Sequence, residues 1–202
     1  MHIKLQNVGK RFERNWIFRN LSQEFKEGSK YAVLGPNGSG KSTLLRVISG
    51  SLTLSEGEIN YTYNNSDIKS EEIYSHVSIT APYLDLPEEY SLEEIITFHK
   101  TFKKIDLNTK ELITKLELDH TKDRLYKHFS SGMKQRVKLG LAIMSQTPLL
   151  LLDEPTTALD AKSVQWYQSI IEEFASNKTI LVFSNNKEEE YKFCKETLRI
   201  GS

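Results

Sequence analysis

The 202-residue chain carries 27 Lys plus Arg against 27 Asp plus Glu, a formal net charge of zero, with 38% hydrophobic residues and one cysteine. That length bounds it to one domain, or one domain with a small lobe, and the charge balance removes any global field that would draw it to nucleic acid or anionic lipid. A single cysteine excludes an internal disulfide, and the longest aliphatic runs, at 149–152 and 180–183, fall far below the roughly 20 residues of a membrane span.

In chain order, HIKLQNV (2–8) alternates apolar and polar residues and predicts a half-buried strand, and NWIFRNLSQEF (15–25) alternates less cleanly. YAVL (31–34) reads as a short apolar strand. KSTLLRVISG (41–50) has helical spacing with a stop at Gly50. GEINYTY (57–63) alternates again, and 77–80 predicts a buried strand. From 91 to about 118 the spacing is helical: Ser91 with Glu94 three residues on forms a capping box, and Asn108 offers a second cap. This charged, strand-free stretch predicts a small inserted helical lobe. A further helix is expected over 131–146. PLLLLD (148–153) and KTILVFS (178–184) are continuous apolar runs suited to strands buried on both faces, with an amphipathic helix over 160–176 between them. Cys194 is expected as a half-buried thiol on a helix. Strands alternating with helices predict an α/β domain with a mainly parallel sheet, preceded by an antiparallel β part.

GPNGSGKST (35–43) carries the first chemistry. Gly35, Gly40, Lys41 and Ser42 fit the spacing of a phosphate-binding loop between a strand and a helix. Backbone amides can surround polyphosphate only where the chain turns back on itself, which glycine permits. The following helix aims its positive end at the same place, Lys41 adds a full charge, and Ser42 offers a hydroxyl to Mg2+. LLLLDEP (149–155) supplies the complement. A buried strand delivers Asp153 and Glu154 at its C-terminal end, where α/β sheets place ligands. Alternation along a strand predicts different roles for neighbours: one acid for the Mg2+ shell, the other for a water aimed at the terminal phosphate. His2, His76, His99, His120 and His128 lack the clustering of a metal site.

Together with FSSGMKQRVKLGLAIM (129–144) and PLLLLDEPTTALD (148–160), the glycine loop resembles the nucleotide-binding domain of ATP-binding cassette (ABC) transporters over nearly the whole chain. The resemblance implies a P-loop NTPase core over about 1–80 and 147–202, with a helical signature lobe over about 81–146, in one domain spanning 1–202. It implies ATP and Mg2+ as cofactors. Gly35, Pro36, Asn37, Gly38, Ser39, Gly40, Lys41, Ser42 and Thr43 would bind phosphate, Ser42 and Asp153 the metal, and Glu154 would be the general base. Phe12 would stack on adenine, with Trp16 as runner-up. Ser130, Ser131 and Gly132 would act on the ATP of an opposite cassette, a second copy or a related chain, with Asp160 near the dimer seam.

Three departures stand out. The signature reads FSSGM where the family has L-S-G-G-Q. Asn185 stands where a histidine contacts the terminal phosphate; it hydrogen-bonds but takes no charge. Ala81 or Pro82 replaces a glutamine. Binding of ATP is expected, and hydrolysis too because Glu154 is intact, at a slow or partner-dependent rate. The leading expectation is an ATPase subunit powering integral membrane subunits from the cytoplasmic face, docking them near 81–95, where Asp85, Glu88, Glu89, Glu93 and Glu94 cluster. The alternatives are a soluble non-transport cassette ATPase and an ATP-gated dimerising clamp. No nucleic acid partner is expected.

Overall fold

The computed structural model describes residues 1–121 and 124–201. Two sheets organise them. The first is antiparallel, ordered β2-β1-β4-β5, from β1 (His2–Phe12), β2 (Asn15–Phe25), β4 (Glu56–Tyr63) and β5 (Ser66–Ile68). The second is parallel, ordered β6-β7-β8-β3-β9, from β3 (Lys30–Leu34), β6 (Val77–Thr80), β7 (Leu149–Asp153), β8 (Thr179–Ser184) and β9 (Glu196–Arg199). The helices are α1 (Lys41–Ile48), α2 (Ile73–His76), α3 (Leu92–Lys100), α4 (Thr109–Lys115), α5 (Ser131–Met144), α6 (Ala161–Phe174) and α7 (Glu188–Tyr191).

Side-chain alternation explains why β7 and β8 are apolar throughout. Leu149, Leu151, Leu181 and Phe183 face a cluster with α1 and the antiparallel sheet, including Ile3, Leu5, Phe25 and Leu44. Leu150, Leu152, Ile180 and Val182 face the opposite cluster, with Val137, Leu141, Tyr167 and Ile170 of α5 and α6. Leu92, Ile96, Leu112 and Tyr126 of the helical stretch belong to this second cluster. The parallel sheet is thus covered on both faces, and its C-terminal edge is where chain segments emerge free to build a site.

The predicted capping box at Ser91 forms, and the expected cap at Asn108 proves to be a second one. The Ser91 hydroxyl accepts from the Glu94 amide at 3.3 Å while Glu94 accepts from the Ser91 amide at 2.8 Å. Asn108 and Glu111 exchange the same pair at 3.0 and 2.8 Å. Two strands escape the sequence pattern. The short β5 follows two residues with left-handed backbone, Asn64 and Asn65. At the sheet edge, β9 is mostly exposed and so carries no apolar run. Cys194 is half-buried, but in the turn after α7 rather than on a helix.

Candidate functional site

The phosphate loop leaves β3 at Leu34 and enters α1 at Lys41. Gly35 and Ser39 are buried beneath it, while Pro36, Asn37 and Gly38 form its exposed rim. Gly40 needs its lack of side chain twice over. Its φ is 93°, and a Cβ there would stand 2.7 Å from Ile17 Cγ2. Ile17, Asn37, Gly38, Gly40, Lys41, Ser42, Thr43 and Glu154 line a cleft of about 290 Å³. By helix geometry the first amides of α1 lack intrahelical acceptors, so its N-terminus brings donors and a partial positive charge to this cleft.

Lys41 is only 6% exposed. Its ammonium donates to the carbonyls of Gly35 at 2.7 Å and Pro36 at 2.9 Å, which fixes the charge at the inner wall of the loop. One residue on, the Ser42 hydroxyl donates to Asp153 Oδ2 at 2.6 Å. Asp153, 2% exposed, ends β7. Burial pushes its carboxyl above the usual range; the Ser42 hydrogen bond opposes this, Glu154 adds to it, and Lys41 opposes it in turn.

The two acids part company by backbone conformation rather than by strand alternation. Glu154 lies beyond the end of β7 in the left-handed region, φ 44°, with its amide donating to the Phe183 carbonyl at 2.9 Å. A non-glycine residue held there costs of order 1–3 kcal/mol. The turn brings Glu154 to the cleft wall while Asp153 stays buried against Ser42.

Phe12 and Trp16 point apart. Arg11 pairs with Trp16 across the hairpin and stacks on it, 5.5 Å from the ring centroid, with Arg19 at 4.5 Å. Trp16 packs behind Gly9, while its neighbour Ile17 packs on Gly40. Phe12 pairs with Asn15 across the hairpin, so alternation puts both on the face opposite Trp16. Phe12 is 45% exposed, with Lys10 Nζ 5.0 Å from its ring.

The signature segment lies in the same chain but outside this cleft's lining. Ser130 caps α5, its hydroxyl accepting from the Met133 amide at 3.2 Å. Ser130 and Ser131 are exposed, so the added side chain at 131 meets no obstacle in this chain; Met133 turns to the apolar cluster. Gly132 approaches the loop after Glu154 so closely that a Cβ would stand 3.0 Å from the Ala158 carbonyl. Gln135, which the sequence did not single out, is buried and donates to the Pro155 carbonyl at 2.8 Å. Asp160 caps α6 through the Ser163 amide at 2.8 Å. Asn185 follows β8 and is exposed.

In the acidic run near 81–95, lysines of the chain face several of the carboxylates. Glu88 pairs with Lys134 at 2.7 Å, Glu89 with Lys127 at 2.8 Å and Asp85 with Lys138 at 3.6 Å, while Glu94 serves the helix cap. These charges are largely met within the chain. Beside them runs an apolar groove of about 530 Å³ lined by Tyr74, Ile79, Leu84, His99, Lys103 and Leu141 among others.

A glycine cradle before a helix, with a buried acid held to that helix's first hydroxyl, defines a P-loop nucleotide-binding domain. The profile of the ABC transporter family matches residues 18–157, and the chain belongs to that family. It is 30% identical to the uncharacterized ABC transporter ATP-binding protein YybJ of Bacillus subtilis (strain 168), covering 98% of this chain and 92% of that one. It is 29% identical to the lantibiotic transport ATP-binding protein SrtF of Streptococcus pyogenes, over 91% of this chain and 80% of that one. Among solved structures it is similar to the dimeric structure of MJ0796, a bacterial ABC transporter cassette, with a TM-score of 0.82 at 22% identity, covering 98% of this chain and 94% of that one.

Proposed function

We propose that the chain is the ATP-hydrolysing subunit of a transporter whose translocation path lies in separate membrane subunits. The observation that carries this reading is the convergence of Lys41, Ser42, Asp153 and Glu154 at one end of the parallel sheet. The residues fit a metal-bound nucleotide: Ser42 and Asp153 bring two hard oxygens together, as Mg2+ prefers, and the glycine cradle leaves room for phosphates. Bound there, Mg2+ offsets phosphate charge.

Lys41 and the amides at the head of α1 hold the phosphates and stabilise charge that develops on them. Glu154, at the cleft wall, takes the proton from the attacking water as general base. Asn185 hydrogen-bonds to the terminal phosphate without contributing charge. Phe12 stacks on the base. Ser130, Ser131 and Gly132 complete the site of an opposite cassette, in a homodimer or with a related chain, through the donors at the start of α5. The core and signature lobes, about 1–80 with 147–202 and about 81–146, are the two parts that then move against each other. The apolar groove, with Tyr74 exposed at its rim, is the better docking surface for membrane subunits than the paired acids beside it. The working place is the cytoplasmic face of a membrane; among the described residues no helix is long and apolar enough to cross it.

The test uses the native complex. Mg-ATP binding with phosphate release, retained binding without release in Glu154→Gln, and co-purification of a polypeptide with apolar spans are the expected results. Equal inertness of wild type and Glu154→Gln would replace this reading by an ATP-gated clamp. Release with no membrane partner would replace it by a soluble ATPase.

A further inference from the structure

Behind the sheet edge lies a buried carboxylate that the reaction above leaves unused. Glu190, on α7, is 0% exposed. Its Oε1 accepts from the Thr156 hydroxyl at 2.8 Å, and its Oε2 accepts from the Ser184 hydroxyl. Ser184 also accepts from the Lys187 amide at 3.2 Å, and the Tyr167 hydroxyl donates to the Glu190 carbonyl at 2.9 Å. A carboxylate taken out of water is costly, and an apolar side chain would fill the same space without that cost. What the carboxylate provides is two acceptors in fixed directions.

Those directions lead to the reacting groups. Thr156 lies two residues after Glu154. Ser184 precedes Asn185 and pairs with Leu34, the last residue before the phosphate loop. The residue before Ser184, Phe183, already holds the Glu154 amide. One side chain therefore joins the segment carrying the general base to the strand end that carries Asn185 and abuts the loop.

We propose that Glu190 is a positioning residue of the ATPase site, holding Asn185 and the loop after Glu154 in register with the phosphate loop through the hydroxyls of Ser184 and Thr156. It touches no reacting atom. The proposal rests on the reading of Glu154 as general base. Alanine at 190 leaves two buried hydroxyls without an acceptor. Glutamine keeps the shape: its carbonyl takes the Ser184 hydroxyl, and the Thr156 hydroxyl turns to accept from its amide.

The experiment measures kcat, KM for ATP, nucleotide bound per chain and thermal stability in the full chain with its partners. Glu190→Ala is expected to lower kcat roughly tenfold or more while KM stays within about threefold and nucleotide stoichiometry is unchanged, because misplacement acts on the transition state rather than on binding. Glu190→Gln is expected to recover kcat to within about threefold of wild type. Thr156→Val and Ser184→Ala should each lower kcat, and less than multiplicatively when combined with Glu190→Ala. An unchanged kcat in folded Glu190→Ala, or a loss confined to stability and active fraction, overturns the proposal. Should Glu190→Ala fail to fold, Thr156→Val decides, and an unchanged kcat there overturns it. Hydrolysis that survives Glu154→Gln overturns the general-base reading alone; the role of Glu190 is still read from its own kcat.

Discussion

The phosphate loop and the start of α5 both set a helix N-terminus beside glycine, yet one is enclosed and the other open. Lys41 and Asp153 are buried, and each is tied to backbone or hydroxyl partners of its own chain. Ser130, Ser131 and Asn185 are exposed, and the first turn of α5 is held from behind, by Gly132 against Ala158 and Gln135 against Pro155. The enclosed half has its electrostatics set within one chain. The open half has its position set within the chain while the side chains of Ser130 and Ser131 stay exposed.

The largest expected effect probes the enclosed half. Glu154→Gln should lower kcat by about 10²- to 10⁴-fold, the usual contribution of a general base, while Mg-ATP binding by the isolated chain survives. Next, Lys41→Ala should weaken Mg-ATP affinity roughly 10- to 150-fold, from the ~1.5–3 kcal/mol of a charge-assisted hydrogen bond, as titration calorimetry would show. Binding that ignores either the charge at 41 or added Mg2+ would show that the enclosed cleft is not the Mg-ATP site. Gly40→Ala should cost about 1–3 kcal/mol of stability in denaturant unfolding, because φ is 93° and Ile17 blocks the Cβ.

Smaller effects belong to the open half. Ser131→Gly with Met133→Gln, which brings the segment to FSGGQ, one residue from the family signature, should leave nucleotide affinity of the isolated chain within about twofold, and change turnover only in the assembled complex. A large shift in the isolated chain would show that the two halves already communicate there. A pH dependence of stability is expected in the apolar groove beside α3. Burial, aided by Lys103, lowers the pKa of His99 to about 4. An unfolded histidine titrates near 6.5, so the unfolded chain binds the extra proton first as pH falls. Stability is retained above about pH 6.5 and is lost progressively down to about pH 4. His99→Gln, which keeps a hydrogen-bonding group near the Ser145 hydroxyl, should flatten the melting temperature across that window.

Much of the fold was legible because the core elements carry their own periodicity. The runs of β7 and β8, the helical spacing of α3 to α6 and both capping boxes need only near neighbours to form. β9 was not legible, since an exposed edge strand is specified by the partner that offers it a ladder, here β3, and not by its own side chains. The same division runs through the site. Glycines, Lys41 and Ser42 announce themselves because phosphate demands those residue types at fixed spacing. Ile17 and Gln135 look like any strand isoleucine and helix glutamine; only packing shows what they touch.

Glu190 makes the point most sharply. In the run Glu188–Glu189–Glu190 three acids look alike, and such a run reads as a solvated face. α7 turns two outward and buries the third between two hydroxyls, that of Thr156, 34 residues earlier in the chain, and that of Ser184 at the adjoining strand end, 6 residues earlier. The sequence by itself determined which chemistry this protein is equipped for, because phosphate binding is written in local backbone freedom and charge. Which acid is buried, which residues pack on the loop and where Glu154 lies were decided by tertiary structure, because burial and direction are properties of what packs around a residue.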